Sequence, residues 1–115
     1  MLQIRRQQQA ALTSVMRHKA NLELIEYAKK RFPKVFEKVD ETRAYKFVDY
    51  VRSTAQGYDI EREDNVATFL DFTVMYGLEF HKAIWANDVL SSRTLRPPDK
   101  ITLLKDRVRQ SGVTL

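Results

Sequence analysis

Three glycines and three prolines in 115 residues leave too few turning points for a sheet protein, which needs a turn signal about every eight to twelve residues. Apolar residues instead recur three and four positions apart, the spacing that lines one face of a helix. The chain is therefore expected to be all-α. Its length suits one hydrophobic core, so a single helical domain over residues 1–115 is expected. A composition that is 43% hydrophobic and 30% charged supplies enough apolar material to pack it. The expected architecture is a compact bundle of about five helices with one long N-terminal helix.

That first helix is marked by Ile4, Ala11, Ile25 and Phe32 on one line, with Val15 and Leu22 on the adjacent line. The stripe thins over residues 17–21, where a break is allowed. Pro33 ends the helix, because the residue before a proline is pushed out of the α region. After a short connection over residues 35–39, Asp40 is suited to cap a second helix with Ala44, Phe47, Val48, Val51 and Ala55 on one face, stopped by Gly57 with a positive φ. Asp59 or Glu61 starts a third, with Glu61, Glu63 and Asp64 complementing the helix dipole. Val66, Phe69, Leu70, Thr73 and Val74 form its face and Gly77 closes it. A loop or helical turn around Phe80 leads to a short helix over residues 82–90, anchored in the core by Trp85. Pro97 and Pro98 open the last helix, whose stripe is Ile101, Leu104 and Val108 and whose stop is Gly112.

Charge is unevenly distributed. Residues 1–34 carry eight Lys/Arg against two Glu, residues 35–90 six against eleven acidic groups, and residues 91–115 six against two. Basic ends thus flank an acidic middle, an arrangement that lets helices attract one another or lets one end dock an acidic partner. No cysteine occurs, so no disulfide or thiolate metal site contributes. The opening MLQIRRQQQAAL lacks an apolar signal-peptide core, and no stretch approaches the roughly eighteen apolar residues of a membrane span. A cytoplasmic protein without membrane association is expected.

Catalytic chemistry finds little purchase. His18 and His81 are not at ligand spacing, and Glu79 with His81 is the one local metal-ligand pair, short of the three or four ligands a site needs. His18 is expected to border the core, with a ring nitrogen satisfied by solvent or a backbone carbonyl. No GxSxG turn surrounds any serine, and the glycines read as helix stops, not as a phosphate cradle. Among the carboxylates, Asp71 is the one set in an apolar stretch, between Leu70 and Phe72. No enzyme activity, cofactor or metal is expected. A sequence pI of about 9.6 raises nucleic-acid binding, but the basic residues Arg5, Arg6, Arg17, Lys19, Lys29, Lys30, Arg31 and Lys34 are spread around the first helix without a recognition motif.

Protein binding remains. Five tyrosines, six phenylalanines and a tryptophan exceed what the helix stripes absorb, and aromatics rimmed by charge are what binding hot spots look like. Tyr45 and Tyr50 lie off the second-helix stripe, and Phe72 and Tyr76 lie on another side of the third helix from Val66 and Phe69. With Phe80 and the charged neighbours Arg62 and Lys82 they form the candidate protein-binding set. The competing reading packs these aromatics against other helices.

The run RSTAQGYDIEREDNVATFLDFTVMYGLEFHKAIWANDVL resembles small bacterial proteins encoded beside type VI secretion system spike and effector genes. The shared pattern reads here as Gly57, Tyr58, Ile60, Glu63, Val66, Phe69, Gly77, Phe80, Trp85, Ala86 and Leu90. The RRQQQAAL opening and Arg31-Phe32-Pro33 are similar too, while His81-Lys82-Ala83-Ile84 replaces an acidic, proline-containing stretch. The resemblance implies a non-enzymatic adaptor or chaperone whose partner is a secretion effector, another adaptor or a spike component. An immunity protein covering a co-encoded toxin is the alternative, with a small basic nucleic-acid-binding protein behind it.

Overall fold

A computed structural model describes the backbone of residues 2–110 and the side chains of residues 14–109. Among them are six α-helices, one 3₁₀ turn and no strand, so the fold is all-α. The helices are α1 (Leu2–Arg31), α2 (Pro33–Phe36), α3 (Glu41–Gln56), α4 (Glu63–Tyr76), α5 (Ile84–Leu90) and α6 (Pro97–Gln110), with the 3₁₀ turn at Phe80–Lys82 between α4 and α5. The chain divides into two compact units, Met1–Asp49 and Tyr50–Leu115. The expected contributions of Ile4, Ala11 and Gly112 lie outside the described side chains.

In the N-terminal unit, α1 runs through residues 17–21 without the allowed break. The stripe thins there because the contacts turn polar: Arg17 Nε and Asn21 Nδ2 both donate to Asp49 Oδ1, at 2.9 and 3.0 Å. Asn21 is fully buried, and its amide is satisfied by that carboxylate, which avoids the cost of an unbonded polar group in the interior. Phe32 leaves the helix at φ −130° and ψ 63° before Pro33. The connection expected after it begins as the single turn α2, with proline at its first position, where a missing N–H costs nothing. Asp40 caps α3 as expected, Oδ1 accepting the Arg43 N–H at 2.8 Å. Leu24, Ile25, Ala28, Phe36, Ala44 and Val48 are buried here, with Phe36 and Phe47 ring centroids 5.7 Å apart.

The stop of α3 corrects the sequence reading. Gly57 has no positive φ; Asp59 takes the left-handed conformation at φ 64°. Ile60 N–H donates to Ala55 O and Asp59 N–H to Gln56 O, at 3.0 and 2.9 Å. Those two bonds are the six-to-one and five-to-two pair of a Schellman ending, in which the residue after the cap is left-handed. Ala55 and Ile60, fully buried, occupy the positions where such endings make an apolar contact. The aspartate is tolerated because its short polar side chain allows this conformation better than most.

In the C-terminal unit α4 packs on α6 and on the 3₁₀ turn, and α5 packs on both of these. Neither Asp59 nor Glu61 starts α4; Arg62 occupies the cap position in extended conformation, without a side-chain cap. Glu63 instead grips Arg52 with both oxygens, at 2.5 and 2.9 Å. The acidic cluster therefore serves a buried arginine as well as the helix dipole. Gly77 does close α4 at φ 107°, its N–H reaching Thr73 O, a backbone conformation that side chains rarely adopt. Pro97 opens α6, and Ile101, Leu104 and Val108 are buried as the stripe required.

Candidate protein-interaction site

Two of the seven candidate residues are core, and this corrects the expected interface. Phe72 is fully buried and Phe80 nearly so. The physical reason is the width of the contact around α4. Its expected face is Val66, Phe69, Leu70, Thr73 and Val74, of which Val74 is only half-buried, while Phe72 is covered as well, because the 3₁₀ turn and α5 close over that side. Phe72 stacks on Phe80 with centroids 5.7 Å apart and meets the Trp85 ring at 6.3 Å. Phe80 also contacts Phe69 at 4.9 Å, so the rings form one continuous cluster. Such offset and tilted pairs add about 0.5–1.5 kcal/mol each beyond the area they bury.

Tyr76 lies at the margin of that cluster. Its ring meets Trp85 edge-on at 5.6 Å, while its hydroxyl is buried with no hydrogen-bond partner among the described residues. Burial pushes the phenol pKa up, because it disfavours the ionised form. Trp85 itself is half-buried, an edge member of the core.

The remaining candidates are accessible and separated. Tyr50 is exposed, and its hydroxyl donates to Leu78 O at 2.6 Å, fastening α3 to the segment after Gly77. Lys82 is exposed and pairs with Glu79 at 3.2 Å. Arg62 is exposed too, paired with Asp64 at 2.9 Å, but it stands at the opposite end of α4 from Tyr76, roughly 20 Å away at 1.5 Å per residue. Tyr45 belongs to the N-terminal unit, where its hydroxyl meets His18 Nδ1 at 3.0 Å. His18 is exposed and takes that hydroxyl, where a position at the core edge bonded to solvent or a carbonyl was expected.

Sequence reasoning missed the most exposed apolar residues of this unit. Leu78 is 56% exposed and Ile84 is 89% exposed, on either side of the 3₁₀ turn. Tyr50 bonds the Leu78 carbonyl and Lys82 pairs with Glu79, so exposed apolar and charged side chains alternate along a segment whose Phe80 is buried in the aromatic core. For Leu78 the available signal was its position after the closing glycine, whereas Ile84 fell inside the helix expected over residues 82–90 and proves to be the first residue of α5.

His81 is the buried titratable group of the same turn. It is 7% exposed, with Tyr58 and Phe80 ring centroids near 6 Å and Nδ1 without a partner among the described residues. Burial holds its pKa below 6.5; Lys82 lowers it further and Glu79 opposes the shift. Glu79 is engaged by Lys82, and the described residues contain no group of three potential metal ligands. No helix among them is long and apolar enough to cross a membrane. Comparison with protein-family models, curated proteins and solved structures gives no match.

Proposed function

We propose that this chain is a non-enzymatic protein-binding accessory protein, an adaptor or chaperone for a type VI secretion effector or its loading partner, working in the cytoplasm. The observation that carries the binding reading is the exposure of Leu78 and Ile84 on either side of a turn whose Phe80 is packed among buried aromatics. Large apolar side chains presented on a pre-ordered backbone lose little conformational freedom on binding, so more of their burial is realised as affinity. The charged edge of Glu79 and Lys82 fits the polar rim that surrounds such contacts. The secretion context rests on the sequence resemblance alone.

The test is isolation of the tagged full-length protein from its own host, with co-eluting proteins identified by mass spectrometry. A spike, effector or loading protein held in stable proportion supports the adaptor reading. A single toxin whose lethality this chain relieves would establish the immunity role in its place. Elution as a free protein from cells with an active secretion system would overturn the proposal.

A further inference from the structure

A cleft of about 380 Å³ opens in the C-terminal unit where the end of α3, the end of α5 and the start of α6 meet. Tyr58, Asp59, Leu90, Ser92, Arg93 and Lys100 are among the residues lining it. Lys100 is 4% exposed. Its Nζ donates to Leu90 O at 2.8 Å and to Tyr58 O at 3.1 Å, and it makes no ion pair with a carboxylate among the described residues. An ammonium group has three donors; two are taken by these carbonyls.

The carbonyls account for part of Lys100. They belong to the ends of two helices, where the dipole favours a cation, so the lysine ties α3 and α5 to α6. A buried full charge is nonetheless costly without an opposite full charge, and carbonyl dipoles supply only partial ones. Arg93 adds a second cation on the cleft wall, exposed and without an ion pair among the described residues. Asp59 is the one carboxylate among the lining residues, and it pairs with neither cation at ion-pair distance. One negative against two positive groups leaves the lining with a net charge of +1. The loop carrying Arg93 is ordered by Ser92, whose Oγ accepts the N–H groups of Thr94 and Leu95, each at 3.3 Å.

The geometry points to a binding site for a small oxyanion, the carboxylate or phosphate group of a ligand, received by the remaining N–H of Lys100 and the guanidinium of Arg93. Charge-assisted bonds from both cations to one oxyanion are about twice as strong as neutral ones. Asp59 keeps the site from being strongly cationic and favours a single charged group over a polyanion. The proposal is independent of the protein-binding face, since neither Leu78 nor Ile84 lines this cleft.

The experiment is a titration of the ¹⁵N-labelled full chain with sodium acetate, inorganic phosphate and the neutral analogue acetamide, at ionic strength held constant with chloride. The site predicts saturable shifts of the Tyr58 and Asp59 amides and those of residues 91–93 with an oxyanion and none with acetamide. Tighter binding of acetate assigns a carboxylate, and tighter binding of phosphate a phosphate group. Arg93→Gln, at an exposed position, should weaken the binding about tenfold, the loss expected of one charge-assisted bond, and Lys100→Met should abolish it. Shifts that never saturate, or an affinity unchanged in Arg93→Gln, would overturn the assignment even if Lys100→Met proves unable to fold.

Discussion

The two units solve the same packing problem with different materials. In the N-terminal unit, Asp49 gathers Arg17 and Asn21, Tyr45 meets His18, and Lys29 is bonded to Glu41, beside a short set of buried aliphatics and one phenylalanine. In the C-terminal unit, Phe69, Phe72 and Phe80 are buried in one ring cluster that Trp85 and Tyr76 extend to the surface. Polar links between helices contribute modestly because each replaces a bond to water. Aromatic burial contributes more per residue. The difference teaches where a binding surface can be held still, since the turn between Leu78 and Ile84 is anchored by the buried Phe80.

The sharpest way to break this contrast is Phe72→Ala. Removing a fully buried phenylalanine should cost about 3–5 kcal/mol, read as a large loss of stability in chemical denaturation. A cost below about 1 kcal/mol would return Phe72 to the surface. Asp49→Ala removes the carboxylate that both Arg17 and the buried Asn21 amide donate to and should cost about 1–3 kcal/mol, with hydrogen exchange rising first in residues 17–28. Asp40→Ala removes the α3 cap at a cost of about 1 kcal/mol, checked by the same denaturation assay.

The smallest effect separates the units by pH. His81 has a folded pKa below 6.5, so above that value both folded and unfolded states are neutral and stability is flat for this group. As pH falls below 6.5 the unfolded chain takes up a proton that the buried ring resists, and stability declines until the folded pKa is reached. His81→Phe should remove that decline while keeping the ring packing. An unchanged acid slope in His81→Phe would assign the decline to other groups.

Much of the helical frame was legible because its signals are local. Pro33 forbids continuation through its own ring, Asp40 reaches an N–H three residues on, and Gly77 takes a conformation closed to most residues. The end of α3 misled because glycine is the default left-handed residue, whereas the pair of hydrogen bonds that fixes the ending places Asp59 there instead. Phe72 misled for a different reason. One stripe of four or five residues describes a helix covered on one side, and α4 is covered on two. Ile84 and Lys100 were invisible to periodicity, since nothing in a stripe reveals that an apolar residue at a helix start is left in solvent or that a lysine on α6 is enclosed by two carbonyls.

The central claim is that Ile84 and Leu78 serve as a working surface beside the buried aromatic core. Its most direct measurement is partner retention by the full-length Leu78→Asp/Ile84→Asp variant, purified from the native host beside the unaltered chain and matched to it by thermal melting. The account predicts an unchanged melting temperature and loss of the co-eluting protein. A variant that melts like the original and still holds its partner would contradict it.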